Sequence, residues 1–271
     1  MKKNKSPLKR WMPPALFDFC RLCSLRAIRL SGHYDNWDDA MAQCKGYNQN
    51  VIFEKTLASS LQVKNGLKPY ERDSVLFDRI VYSWPILASL NWAAAQDSGK
   101  LRVLDFGGAL GTSYFQNKKF IDHLDEVFWH IVEQPNLAEL GNKHFKDESL
   151  SFSSNIENGF RFFRPNFVLL SSVLQYIEDP FSVIANLANR DVPVIALDRT
   201  PFLNEDQKTF IQKQSVPSQI YSASYPCYLF NENEITSEFR NYGYQLVESF
   251  HSLDKLSTKA TWKGMVFKKS S

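Results

Sequence analysis

The run Val103-Leu104-Asp105-Phe106-Gly107-Gly108-Ala109-Leu110-Gly111 reads as a short apolar strand that ends in a carboxylate and enters a glycine turn. Glycine tolerates positive φ and lets a ligand approach the backbone without meeting a Cβ. A strand, such a turn and a helix together form the usual cradle for a nucleotide-like cofactor. The acid discriminates among cofactors. A pyrophosphate over this turn would meet a like charge at Asp105, whereas S-adenosylmethionine has no phosphate and carries a cationic ammonium and a cationic sulfonium. The dinucleotide pattern G-x-G-x-x-G also fails at its first position, which is Phe106. The sequence therefore predicts that Asp105, Gly107, Gly108 and Gly111, in the pattern D-x-G-x-A-x-G, hold the methionine end of S-adenosylmethionine.

Further candidates fall at the ends of the following strands. Glu133 lies 22 residues beyond Gly111, placed to accept hydrogen bonds from the ribose hydroxyls of an adenosine or else to cap the next helix. Ser153-Ser154-Asn155 could hold an adenine edge or form a plain turn. The apolar run Phe167-Val168-Leu169-Leu170 opens into Ser171-Ser172-Val173-Leu174-Gln175-Tyr176. Ser171 is predicted beside the cofactor, Gln175 and Tyr176 beside a methyl acceptor, and Leu174 in the core. The fifth strand ends in Asp198-Arg199, which offers a general base for an acceptor hydroxyl and a cation for an anionic substrate group. An Asp198–Arg199 pairing is the plain alternative. The histidines are scattered, and no metal-ligand spacing is completed. Between Gln214 and Tyr228, tyrosines, prolines and serines alternate in what reads as a loop walling a pocket; flat tyrosine faces suit sugar rings.

These positions require an alternating scaffold. From about Leu101, strands predicted at 102–105, 128–133, 149–153, 167–171 and 192–198 alternate with helices at 114–124, 137–144, 156–163 and 180–188, which implies a parallel sheet. Two last strands, 244–251 and 261–268, read as an antiparallel hairpin. Residues 31–96 read as a helical cap: Asn36 caps a helix, 50–63 forms a second, the apolar positions of Val75 to Tyr82 recur at helical spacing, and 86–95 forms a long apolar helix. Residues 1–30 carry Lys2, Lys3, Lys5, Lys9 and Arg10 before Trp11-Met12-Pro13-Pro14. They are predicted as a basic amphipathic helix able to lie on an anionic membrane, with a helix packed on its own domain or a basic tail as the alternatives. The division is thus 1–30, 31–96, and a cofactor-binding core at 97–271. The predicted class is α/β and Rossmann-like, with a mostly parallel seven-stranded sheet, an antiparallel C-terminal hairpin and a helical N-terminal cap.

Composition sets outer bounds. The 271 residues are 44% hydrophobic and 23% charged with a net charge of +3, ordinary for a globular protein and too weakly basic to argue for nucleic acid. There is no apolar run of membrane-spanning length and no secretory signal. A cytoplasmic location follows as the expectation, with peripheral contact at the inner membrane if residues 1–30 bind lipid. Of Cys20, Cys23, Cys44 and Cys227, only the first two have a metal-like or redox-like spacing, and reduced thiols are expected.

From Trp37 to its end the chain resembles an uncharacterised bacterial family of class I, S-adenosylmethionine-dependent methyltransferases, often linked to surface-polysaccharide or lipopolysaccharide synthesis clusters. The matching runs include Glu71-Arg72-Asp73-Ser74-Val75-Leu76-Phe77, Tyr82-Ser83-Trp84-Pro85, Leu104-Asp105-Phe106-Gly107-Gly108 with Gly111, and Ser113-Tyr114-Phe115-Gln116-Asn117. They continue with Val132-Glu133-Gln134-Pro135, Leu170 to Tyr176, Asp198-Arg199-Thr200-Pro201-Phe202 and Tyr225-Pro226-Cys227. The resemblance implies methyl transfer to a sugar or other cell-envelope precursor. Two rivals stand beside it. One is a sugar-nucleotide oxidoreductase using the same turn, against which Asp105 counts. The other is a methyltransferase fold kept as a non-catalytic scaffold.

Overall fold

The computed structural model describes residues 29–45, 49–203, 206–216, 223–254 and 260–270. The described chain opens with β1 (Arg29–Tyr34), α1 (Trp37–Ala42), α2 (Gln49–Lys64), β2 (Tyr70–Arg72), β3 (Val75–Phe77) and α3 (Trp84–Gln96). Strand and helix then alternate through β4 (Lys100–Phe106), α4 (Thr112–Ile121), β5 (Glu126–Val132), α5 (Pro135–His144), β6 (Leu150–Ser153), α6 (Ile156–Phe162) and β7 (Phe167–Ser171). A 3₁₀ turn (Leu174–Tyr176), α7 (Pro180–Ala188), β8 (Val194–Phe202), β9 (Phe210–Val216), β10 (Ala223–Leu229), α8 (Glu232–Asn241), β11 (Tyr244–His251) and β12 (Thr261–Lys269) complete it.

Seven strands form one sheet in the order β11-β12-β8-β7-β4-β5-β6. Pairings among β4 to β8 are parallel, while β12 is antiparallel to both β8 and β11. Only β12 therefore runs against the other six. This is the Rossmann-like, doubly wound sheet with a C-terminal hairpin expected for a class I methyltransferase fold. Strand period two sorts the apolar residues onto two faces. Val103, Trp129, Ile131 and Leu169 join Leu90, Tyr114 and Leu137 under α3, α4 and α5. Leu104, Val168, Leu170 and Leu197 join Ile184, Leu187 and Phe239 under α7 and α8. Because both faces are covered, the inner strands are continuous hydrophobic runs, which is why they were readable in the sequence.

The N-terminal part departs from a purely helical cap. Arg29 and Leu30 begin β1, so a strand straddles the expected 30/31 boundary; the basic helix expected in residues 1–30 otherwise lies outside the described residues. The segment Val75 to Phe77, read as helical, pairs antiparallel with Tyr70 to Arg72. Asp73 and Ser74 both take left-handed backbone, with φ of 52° and 64°, and so close a two-residue hairpin of the primed type. Tyr70 and Phe77 then meet at 5.6 Å across it. The loop expected between Gln214 and Tyr228 is also corrected: its described parts are the end of β9 and nearly all of β10, which with β1 make a separate three-stranded sheet. The burial of Gln214 inside β9 and the presence of Pro226 in β10 had broken the usual strand signature. No helix among the described residues is long and apolar enough to cross a membrane.

Candidate active site

Strand order reverses between β4 and β7, where the chain winds first towards β6 and then back towards β8. Loops leaving the carboxyl ends of these two strands must diverge, and the crevice between them is where doubly wound sheets bind ligands. A cavity of about 210 Å³ lies there. Its floor is the loop Gly107 to Ala109 with the start of α4, one side is Ser171, Ser172 and Arg199, and the roof is α2 with the β2–β3 hairpin.

The floor follows from its glycines. Gly107 has φ of 76°, and a Cβ there would meet Val173 Cγ2 at 2.4 Å. Gly111, with φ of 101°, stands at the N-cap of α4 and supplies no side-chain cap, and the first residues of that helix, Thr112 and Ser113, line the cavity. Under Gly108 lies the side chain of Asp105: a Cβ at Gly108 would sit 2.4 Å from Asp105 Oδ2. Here the electrostatic part of the sequence expectation needs correction. Asp105 is fully buried, its Oδ2 accepts from Trp129 Nε1 at 3.0 Å, and its Oδ1 has no partner among the described residues. Burial, reinforced by the charge of Glu133, pushes its carboxyl up to about 7. It props the loop from the core side and presents no charge to the cavity, because β4 directs residue 105 onto the same face as Val103 and Trp129.

Glu133 follows β5 and reaches back to the loop. Its Oε1 accepts from Ala109 N at 3.2 Å and its Oε2 from Gln134 N at 2.8 Å, while burial holds its carboxyl above the ordinary value. Ser171 ends β7 in the cavity wall. The Ser153 to Asn155 segment is engaged locally: Ser153 Oγ donates to Asn155 O at 2.9 Å, and Asn155 Oδ1 caps α6 by accepting from Asn158 N.

At β8 the acceptor-side candidates separate. Register against β12 passes from Leu197↔Met265 to Thr200↔Lys263, so Asp198 and Arg199 together oppose Gly264. This bulge, with Arg199 at φ of 53°, re-aims both side chains, a recurrent use of bulges beside functional sites. Asp198 is buried, accepts from Arg199 N at 2.8 Å, and is pushed up to about 6 chiefly by burial. It opens onto a small annex of about 20 Å³ that shares Thr112, Ser113, Ser171 and Arg199 with the main cavity. The Arg199 guanidinium is committed: its Nε donates to Asp254 and its Nη2 to Asp73, each at 2.5 Å. It is therefore not the open anion ligand that the sequence suggested. Gln175, fully buried, donates from Nε2 to Arg199 O at 3.1 Å and to Ser172 Oγ at 3.3 Å. It bolts together two residues of positive φ behind the wall. Tyr176 also stands outside the wall, donating to Gln214 Oε1 at 3.2 Å across to the three-stranded sheet.

The roof supplies what sequence reasoning missed. Glu71 is buried yet lines the cavity; its Oε1 accepts from Thr112 Oγ1, at the first residue of α4, and its Oε2 from Ser74 N at 3.3 Å. Burial pushes its carboxyl up to about 7. Thr56 Oγ1 and Ser74 Oγ, 3.0 Å apart, tie α2 to the hairpin tip. The signals were the polar stretch Glu71 to Ser74 between apolar neighbours and its place in a run matching the resembled family, to which the helical reading assigned no chemistry.

No protein-family model and no curated protein matches this sequence. Solved structures similar to the chain include the N-terminal domain of EvdMO1 in the presence of SAH and D-fucose, at 12% identity over 83% of this chain and 98% of that one, TM-score 0.48. Magnesium protoporphyrin IX methyltransferase (ChlM) from Synechocystis PCC 6803 with bound SAM is similar at 13% identity over 80% and 97%, TM-score 0.46. A S-adenosylmethionine-dependent methyltransferase from Clostridium acetobutylicum ATCC 824 is similar at 11% identity over 70% and 93%, TM-score 0.45.

Proposed function

We propose that this chain is an S-adenosylmethionine-dependent methyltransferase acting on an oxygen or nitrogen of a sugar or another cell-envelope precursor. The observation that carries the reading is the carboxylate of Glu71 held at the first residue of α4. Dinucleotide folds seat a diphosphate at this helix start. Here a fixed acid faces that position, and the cavity's guanidinium, Arg199, is already matched by Asp73 and Asp254. Such a wall disfavours a diphosphate and accommodates a cationic ligand, which weighs against a sugar-nucleotide oxidoreductase. The choice of cofactor thus rests on Glu71 where the sequence had rested it on Asp105.

In this proposal the backbone of Gly107 to Ala109 and Ser171 hold the methionine portion, Gly111 sets the helix start, and Glu133 turns from the loop amides to the ribose. S-adenosylmethionine, when bound, supplies an electrophilic methyl group. The chain's own contribution is chiefly positioning: α2 and the hairpin roof the cavity and limit water. Asp198 is the base for an acceptor hydroxyl, its raised carboxyl able to take a proton near neutral pH. Gln175 is a positioning residue that holds Ser172 and Arg199. Tyr176, which donates to Gln214 as Gln214 donates in turn to Tyr225, is a positioning residue that ties the 3₁₀ turn behind the wall to the three-stranded sheet. A cytoplasmic setting, with lipid contact through residues 1–30, belongs to the same proposal and is tested by co-sedimentation with anionic vesicles.

Titration calorimetry with S-adenosylmethionine, S-adenosylhomocysteine and a nicotinamide dinucleotide tests the cofactor. Binding of the first two is expected, and a preference for the dinucleotide overturns the reading. Mass spectrometry of envelope glycans from cells lacking the protein is expected to show one sugar lighter by a methylene.

A further inference from the structure

Glu71, Asp73 and Ser74 of the β2–β3 hairpin line the cavity. Glu71 is about as buried as a core residue, with 3% of its surface exposed, yet its carboxylate lines an open cavity. The structure invests in holding it there. Thr112 Oγ1 fixes one oxygen and Ser74 N the other, while Ser74 is itself anchored to Thr56 of α2. Each carboxylate oxygen accepts a single bond, so each retains acceptor capacity. No lysine or arginine side chain forms an ion pair with Glu71 among the described residues. Arg199, the cation that acts on it through space, bonds instead to Asp73 and Asp254. A buried carboxylate oriented by two donors and left without a bonded cation is matched by a ligand that brings one.

We infer that Glu71 is the receptor for the α-ammonium of the cofactor's methionine moiety, with Thr112 and Ser74 as its positioning residues. The inference rests on the S-adenosylmethionine reading above and assigns to the N-terminal cap a charge-assisted contact, stronger than the neutral bond that a loop carbonyl would accept. It also gives the cap a role in selectivity: ligands of the same adenosine shape but lacking the ammonium leave Glu71 buried and unmatched, a costly arrangement for a charged or polar group.

The test is a ligand-and-variant cycle read by calorimetry. Wild type and Glu71→Gln are each titrated with S-adenosylhomocysteine and with its deamino analogue, which keeps the carboxylate and lacks only the amino group. Wild-type protein is expected to prefer the amino ligand by about 10- to 100-fold. In Glu71→Gln that preference is expected to shrink to about 3-fold or less, with the affinity for the deamino analogue nearly unchanged. The retained binding of the analogue also reports that the variant is folded. Equal affinity of wild type for the two ligands, or an undiminished preference in the variant, overturns the assignment. Should Glu71→Gln fail to fold, Thr112→Val takes its place, because loss of the orienting hydroxyl must also reduce the preference; an unchanged preference overturns the proposal. Failure of wild type to bind either ligand strikes instead at the cofactor reading itself.

Discussion

Four carboxyl groups near the strand ends, Asp105, Glu71, Asp198 and Glu133, are held above the ordinary carboxylate range, with burial the leading cause in each. A raised carboxyl binds its proton more tightly in the folded than in the unfolded chain. Its favourable contribution is complete below the unfolded value, near 4, and is lost as pH rises through the folded value, which is about 7 for Asp105 and Glu71. Asp254 acts in the opposite sense: the Arg199 and Arg72 charges outweigh its burial and hold it low, so its contribution is lost only in acid. Between about pH 5 and about pH 8 the raised groups dominate, and the ligand-free protein is expected to become less stable towards the alkaline side. Asp105→Asn keeps an acceptor for Trp129 Nε1 and cannot ionise. Urea unfolding midpoints at the two pH values should show the alkaline loss reduced by about 1–3 kcal/mol in the variant; an unchanged loss would mean that Asp105 is ionised at little cost.

The glycine loop and the two strand ends beside it act as units. Because Gly108 lies directly over the Asp105 carboxyl, Gly108→Ala forces one of the two aside and is expected to cost about 1–3 kcal/mol. Asp105→Ala removes the obstruction, so the double variant should cost less than the two singles together, which a double-mutant cycle measures. Gln175→Leu fills similar space while leaving Ser172 Oγ and the Arg199 carbonyl without their shared donor. A loss of about 1–3 kcal/mol is expected by denaturant unfolding. The loop's glycines and the apolar strands were legible in the sequence because each rests on local chemistry: a left-handed turn, a period-two or continuously buried run. The direction of the Asp105 side chain was not, since it depends on Trp129, which lies 24 positions away in the chain and adjacent only across β4 and β5. Likewise Val75 to Phe77 satisfies a helical apolar spacing, and only the left-handed Asp73-Ser74 pair distinguishes the hairpin.

At the scale of the molecule, the cap is joined to the core by charge as much as by apolar packing. Asp73 of the hairpin binds Arg199 of β8, and Asp254, beyond β11, binds both Arg199 and the hairpin's Arg72, the latter at 3.5 Å. Three chain segments remote in sequence thus meet over the cavity, and no local pattern could have announced this. The network is delicate, because Arg72 and Arg199 are both largely buried and Arg72 Nε already lacks a hydrogen-bond partner among the described residues. Asp254→Ala leaves Arg199 with Asp73 alone and Arg72 without an ion pair among the described residues, and removing one member of a buried ion network costs about 3–5 kcal/mol. How that loss is distributed tells whether cap and core unfold together. If they form one cooperative unit, amide hydrogen exchange should accelerate in β4 and β7 as much as in β2 and β3. The geometry favours the other outcome: the seven-stranded sheet keeps its own two-sided core, whereas Tyr70 and Phe77 form a small separate cluster. Exchange in Asp254→Ala is therefore expected to rise selectively across Tyr70 to Phe77, with the central strands protected as before. Affinity for S-adenosylhomocysteine should fall in parallel, since the same opening carries Glu71 away from Thr112.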